Sequence, residues 1–407
     1  MSGTFTHFNN SAIRRLRQAP SFLPTPLSYS PPSQTCARRD THPVLSIVVP
    51  AYNLARYVEQ CVRAILGQLR EHHELIVIDD GSTDNTLALV TTLQQAWPGS
   101  NFHVKSQANE GIAGVRNHGV RAATGDYIVW IDGDDVLQGG ILDKLDEVIA
   151  RHRPDVIVCD YTMWHPQEPA KTHPVSFSYP DNVMLRDADA ILTRFFACRK
   201  NYIWATVFRR DIYAQLPGPV FPPGRVYEDV STVPRLLSQC ASLLYLPVPI
   251  IDYRQHPSSI TQSISEASCI DFSFAMSVAR RHLQARGVSD AVRRHFDITA
   301  GHFFLDTIKS TYYLPRAARK RVRESITASF IDNLFGNCES MLETSRSAAT
   351  VSDNRRKDLR MVRHVRLVLA GNLFFRIAQS ATRNLKLWRR TRKLRRHAAA
   401  LKAAEGV

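Results

Sequence analysis

Residues 125–140 read GDYIVWIDGDDVLQGG, and their reading decides the fold. The run Tyr127-Ile128-Val129-Trp130-Ile131 is β-branched and aromatic, the composition of a strand buried on both faces. It ends in three carboxylates, Asp132, Asp134 and Asp135. Like charges at one point repel unless a cation or hydrogen-bond donors sit among them. In an extended segment Asp132 and Asp134 project the same way. Hard oxygen ligands of this sort suit Mg2+ or Mn2+ carrying a diphosphate. Such an ion is a Lewis acid for a departing nucleotide.

Upstream, VLSIVVP and ELIVIDD are two more buried runs, NFHVKSQ is a third strand, and DVIVCDY follows downstream. Between them lie helical patterns. Val58, Val62, Ile65 and Leu69 share a helix face. STDNTLALVTTLQQAW opens with Ser82, Thr83 and Asp84 as N-cap candidates, and GIAGVRNHGVRAA forms a third helix. Strands alternate with helices to about residue 160, which predicts an α/β layer with a mostly parallel sheet. Right-handed crossovers place ligands at the carboxyl ends of such strands. Three of those ends are polar: Pro50-Ala51-Tyr52-Asn53, Asp79-Asp80-Gly81-Ser82 and Asp132-Gly133-Asp134-Asp135.

The chain has 407 residues, 44% of them hydrophobic, enough for a large core and two or three domains. Residues 1–43, rich in Ser, Thr and Pro, read as a flexible leader. No secretory signal or membrane-spanning helix is expected. The seven cysteines (Cys36, Cys61, Cys159, Cys198, Cys240, Cys269 and Cys338) are scattered and form no CxxC, which fits reduced thiols rather than a disulfide framework or zinc site. The net charge is +15, and residues 360–407 hold thirteen Lys or Arg against one acid, Glu405. The basicity therefore belongs to a tail. That tail reads as a helix with Leu387, Thr391, Leu394, Ala398 and Leu401 on one face. A solvated face, an anionic membrane surface, nucleic acid and a partner helix are its four readings. A membrane surface suits a leucine stripe bordered by arginine. No nucleic-acid module accompanies the charge, so nucleic acid is not expected as a partner.

The motifs SIVVPAYN, VIDDGSTDNT, NEGIAGVRNHGVRAATGDYIVWIDGDD and VYEDV, in that order, resemble the family 2 glycosyltransferases of GT-A fold over residues 45–260. The resemblance implies a GT-A domain at 44–265, followed by a helical extension at 266–355 and the basic tail at 356–407. It implies that Pro50, Ala51, Tyr52 and Asn53 lie along a uridine and that Asp80 accepts from the uracil N–H. Asn109, Gly111 and Arg116 then line the nucleotide-sugar cleft, with Arg116 countering phosphate charge. In the DxD element Asp132 touches the ribose or the metal shell, Asp134 binds Mn2+ or Mg2+, and His256 completes the shell. Asp135 orients the turn, and Asp79 braces its loop. Of the Glu228-Asp229 pair, Asp229 matches the general base, with Glu228 beside it. Trp204 sits where an acceptor wall is expected. Gly133 stands where serine is common. The implied function is inverting transfer from a UDP-sugar to a hydroxyl of a glycan or lipid-linked glycan in bacterial cell-envelope polysaccharide synthesis. The implied location is cytoplasmic, peripheral at the inner face of the membrane. The alternative is a non-catalytic nucleotide-sugar-binding scaffold with a polyanion-binding tail. Each single carboxylate could instead cap a helix or close a turn, and Trp204 could be core.

Overall fold

The computed structural model describes residues 42–177, 179, 183–256, 264–347, 355–371, 377–385 and 388. Residues 1–41 of the leader and the leucine stripe of the tail lie outside the described residues. The elements run β1 (Leu45–Ala51), α1 (Val58–Leu66), β2 (His73–Asp79), α2 (Thr86–Ala96), β3 (Phe102–Ser106), α3 (Gly111–Ala122), β4 (Tyr127–Trp130), β5 (Val136–Leu137), α4 (Ile141–His152) and β6 (Val156–Trp164). They continue with β7 (His173–Val175), β8 (Met184–Leu185), α5 (Ala188–Cys198), β9 (Thr206–Arg209), α6 (Arg210–Ala214), α7 (Glu228–Leu237) and β10 (Leu243–Arg254). Helices α8 (Glu266–Ala285), α9 (Asp290–Ser310), α10 (Arg316–Asp332), α11 (Cys338–Arg346) and α12 (Arg355–Leu369) follow.

The strands form one sheet in the order β3-β2-β1-β4-β9-β6-β10-β5, with β7 on β6 and β8 on β10. The strands around β1 are parallel, as expected: β1 pairs with β2 and β4, and β2 with β3. All seven residues of β1 and of β2 are buried, and each carries an unbroken apolar stretch, Ile47-Val48-Val49 and Leu75-Ile76-Val77-Ile78. The far half is mixed. β9 enters antiparallel between β4 and β6, so the parallel order stops at β4. The stretch after residue 165, interrupted by prolines, supplies β7 to β10. In β10 the register with β6 shifts around Pro249.

α1 ends at Leu66, before Leu69, with Gly67 as its C-cap. α2 starts later than the cap candidates imply, because Asn53 takes the Ser82 and Thr83 donors and acceptors, while the Asp84 carboxylate accepts from Thr86 N at 2.9 Å. One hydrophobic cluster runs from Leu45 through Val365, so the extension shares its core with the sheet. α12 buries Met361, Val362 and Val365, and its Asp358 pairs with Arg199 at 2.8 Å and His302 at 2.7 Å. It packs as part of the extension, beyond the 355 boundary read from the sequence. The described cysteines are free thiols. Among the described residues no helix is long and apolar enough to cross a membrane.

Candidate active site

β2, β1 and β4 lie side by side, so their carboxyl ends bring the three polar segments to one edge. The chain locks them together by backbone bonds: Asp80 N donates to Ala51 O at 2.9 Å and Gly133 N to Pro50 O at 3.2 Å. A Cβ on Gly133 would sit 3.0 Å from both Pro50 O and Leu54 Cδ1, so glycine lets the DxD turn lie close on β1. Pro50 and Ala51 are buried, and Tyr52 stands out from the edge at 47% exposure. Asn53 adopts φ +52°, and its side chain accepts from Thr83 N at 2.8 Å, latching the loop before α2.

Asp80 is buried and already well supplied. Its carboxylate accepts from Gln107 Nε2 at 2.8 Å, Glu110 N at 2.9 Å and Gly111 N at 2.9 Å. Asn109 Nδ2 donates to Asp80 O at 3.0 Å. A carboxylate offers about four lone-pair sites, so roughly one remains for a base. The positive φ of Gly111, +74°, turns these amides onto Asp80 at the head of α3. Asp79 accepts from Ser82 N at 3.2 Å, the bracing role expected, and its Oδ1 is buried without a partner among the described residues.

Arg116 differs from expectation. It is 3% exposed and bridges two carboxylates, donating to Asp132 Oδ1 at 2.8 Å and to Glu228 Oε1. Its charge is spent inside the protein rather than held out for a phosphate. Burial works against that charge, but Asp132, Glu228 and Asp229 outweigh it and hold the guanidinium protonated. Burial raises Asp132 and Glu228, and Arg116 opposes the rise in both. Burial and the neighbouring Glu228 push Asp229 up to about 8, again against Arg116. Asp229 and Glu228 form the first turn of α7, entered through Tyr227 at φ +62°.

The three residues expected to hold a metal divide. His256 Nε2 lies 2.7 Å from Asp134 Oδ2, whereas Asp132 is turned to Arg116. The three predicted ligands therefore do not converge; Asp134 and His256 do. Arg254 donates from its backbone N to Asp135 Oδ1 at 2.8 Å and from Nε to Asp134 O at 2.6 Å. Asp135 thus orients the turn, as expected, and burial with Asp134 and Asp132 pushes its pKa well up. Asp135 Oδ2 is buried with no partner among the described residues. A carboxylate and an imidazole meeting beside this acidic turn fit Mn2+ or Mg2+ that takes its other ligands from a diphosphate and water. Among the described residues the one three-residue set close enough to share an ion is elsewhere, His72, His73 and Asp146, at the opposite end of β2. There Arg70 N donates to His73 Nδ1 at 3.2 Å, which puts the ring proton on Nε2, facing Asp146 at 2.9 Å. A metal on Nε2 would need that proton on Nδ1, so this set is a hydrogen-bonded brace.

Trp204 is not a free wall. Its indole stacks between Tyr202 at 4.7 Å and Tyr253 at 5.1 Å, and it is 5% exposed. Both faces are covered, so Trp204 is core. Burial and Asp229 raise the Tyr202 pKa while its bond to Tyr161 lowers it. Tyr202, Tyr227 and Arg254 escaped the sequence reading. Tyr202 lay two residues from Trp204, and Arg254 two from His256, but nothing in the spacing marked them.

Residues 46–216 match the family model for glycosyl transferase family 2. The chain carries a family 2 glycosyltransferase domain. It is 26% identical over 227 residues to the uncharacterized glycosyltransferase EpsJ of Bacillus subtilis, a match covering 54% of this chain and 63% of that protein. It is 36% identical over 121 residues to an Escherichia coli chondroitin synthase, covering 30% of this chain and 17% of that one. The chain thus spans under two thirds of the length of these curated relatives. In structure it is similar to residues 1–349 of S. aureus TarS, solved with UDP-GlcNAc, at TM-score 0.59 and 18% identity over 81% of this chain and 92% of that one. The fold is therefore the GT-A fold with a helical C-terminal region. The family match ends at residue 216, before Glu228 and Asp229. Their link to the family 2 domain is the Arg116 bridge.

Proposed function

We propose that this chain transfers a sugar from a UDP-sugar to a hydroxyl of a glycan or lipid-linked glycan, with inversion. The observation that carries the reading is the Arg116 bridge, which joins the DxD carboxylate Asp132 to Glu228, next to the candidate base. A donor site and a proton acceptor are thereby held in one rigid frame. Rigid placement of reacting groups is a large part of catalysis.

In this mechanism the edge formed by Pro50, Ala51, Tyr52 and Asn53 holds the nucleoside, with Asp80 offering its remaining lone pair to the base. Asp134 and His256 would hold Mn2+ or Mg2+, which when bound would neutralise charge on the departing diphosphate. Asp229 accepts the proton of the acceptor hydroxyl as that oxygen bonds to the anomeric carbon, while the bond from that carbon to the UDP oxygen breaks. General-base help of this kind is worth roughly 10²–10⁴-fold. Attack from the face opposite UDP inverts the anomeric centre. Glu228, held by Arg116, keeps the first turn of α7 in place.

Contact with an anionic membrane is part of the same reading. Ile377, Leu385 and Trp388 stand 47–56% exposed in a strongly basic segment, a composition that suits the headgroup interface.

Thermal unfolding with UDP, GDP, CDP and dTDP, with and without Mn2+, tests the reading. UDP at one hundred times its dissociation constant should stabilise by about 2.7 kcal/mol, in a manner that needs Mn2+ and disappears in Asp134→Ala. Asp229→Asn should keep that shift and lose transfer. A shift kept by both variants, with no transfer by the wild type, would favour the scaffold.

A further inference from the structure

The helical extension matches no motif and lies outside the matched family segment, yet it is fastened to the loop that delivers Asp229. Arg225 pairs with Asp271 of α8 at 2.6 Å, and the same carboxylate accepts from Val226 N at 3.3 Å. Tyr227 comes next, held at φ +62°, a conformation that a non-glycine residue keeps only where its surroundings impose it. Its ring meets Phe272 edge-on at 4.9 Å, and Phe272 meets Phe303 of α9 at 5.1 Å. Between Tyr227, α8 and α9 a cavity of about 150 Å³ is left. An apolar cavity of about 150 Å³ holds one benzene ring, so the space suits a single ring rather than a nucleotide.

The lining has two characters. Tyr227, Phe272 and Phe303 give aromatic surface, while Ser268, Thr307 and Asp306 give hydroxyls and a carboxylate. None of the lining side chains is cationic, and the neighbouring Lys309 ammonium is already paired with Asp306 at 2.7 Å, so a phosphate or diphosphate meets a carboxylate there before any cation. Ring faces for C–H surface beside acceptors for hydroxyls suit a neutral saccharide. Tyr227 both lines the cavity and caps α7, two residues before Asp229, so the cavity borders the loop that delivers that carboxylate.

We infer that this cavity is an acceptor subsite for the neutral sugar adjoining the one whose hydroxyl reacts, with Tyr227 as the wall between the two units. The inference rests on the transferase reading and adds to it the class of acceptor, a neutral glycan of at least two units. Strain at Tyr227 then has a use, because it aims one ring at both the acceptor and the head of α7.

Saturation-transfer-difference NMR of the full chain in UDP and Mn2+ tests this with methyl β-glucoside, lactose, cellobiose, chitobiose and glycerol phosphate as probes. The expected result is signal from at least one neutral disaccharide, on both rings. Ser310→Trp, which fills the cavity from the end of α9, should weaken that disaccharide at least tenfold. Asp306→Asn, a gentler change at an exposed position, should weaken it severalfold. The UDP-dependent thermal shift reports that each variant is folded and should not move. Signals unchanged in both variants, no saccharide signal in a protein that binds UDP, or signal from glycerol phosphate alone would each overturn the assignment. Saccharide signals lost in the variants of a protein that shows no UDP shift would keep the cavity and remove the transferase reading instead.

Discussion

At the residue scale the site turns on Arg116, a buried cation with two carboxylates. Removing one member of such a group leaves the others buried without compensation, at a cost of about 3–5 kcal/mol. Arg116→Gln should therefore lower stability by that order at neutral pH. The loss should shrink at pH 5, because Asp132 and Glu228, already raised by burial, take up protons once the guanidinium is gone. Denaturant unfolding at the two pH values checks this, and a loss equal at both would count against the charge account. Asp229 gives the second expectation. A base must be unprotonated to act, and this one is pushed up to about 8. The kcat/KM of transfer should then rise with pH and level off above about 8, and an ascending limb near pH 4 would sink the assignment. The sequence showed the strand-end acids as a polar edge, and it supplied Arg116, Glu228 and Asp229 only through the family resemblance. It did not reveal that Arg116 faces inward. A helical arginine reads the same whether it meets phosphate or carboxylate, and the partner Glu228 is 112 residues away.

At the element scale, α3 carries the loop that holds Asp80 and the helix face that holds Arg116, so its fit on the sheet matters. Gly119 makes that fit. A Cβ there would lie 2.7 Å from Val48 Cγ1 and 2.8 Å from the Trp130 ring. Gly119→Ala should destabilise by about 1–3 kcal/mol through overpacking, and thermal or denaturant unfolding would show it. A stabilised variant would mean that helix propensity outweighs the clash. The elements through β4 were legible because buried parallel strands and amphipathic helices each leave a periodic trace. β9 and β10 were not. β10 is interrupted by Pro247, Pro249 and a register shift, and β9, an antiparallel strand slipped between two others, depends on partners distant in sequence.

For the molecule as a whole, the extension and the tail separate at a different place from the one composition suggests. α12 is strongly basic, yet Met361, Val362 and Val365 are buried against α9 and α11, and Asp358 takes Arg199 and His302. A chain ending at Gly371 should keep its melting temperature and its transfer to a soluble acceptor. It should lose most sedimentation with vesicles rich in anionic lipid, where each basic residue near the surface is worth about 1 kcal/mol. A chain ending before Arg355 should melt lower, because it uncovers the α9 and α11 surface. Equal vesicle binding by the full chain and the chain ending at Gly371 would remove the membrane role of the tail.

The sequence by itself determined the α/β layer, the order of its first four strands, the polar edge at their carboxyl ends and the family to which that edge belongs. Each of these is written in local periodicity or in a short motif, and local signals survive without a partner. Tertiary structure alone decided that Arg116 binds two acids, that Asp132 turns to Arg116 while Asp134 and His256 meet, and that Trp204 is sealed between two tyrosines. It alone joined the extension to the loop before Asp229 through Asp271 and Phe272. Those outcomes depend on which distant side chains share a low-dielectric space, and no spacing within one segment carries that information.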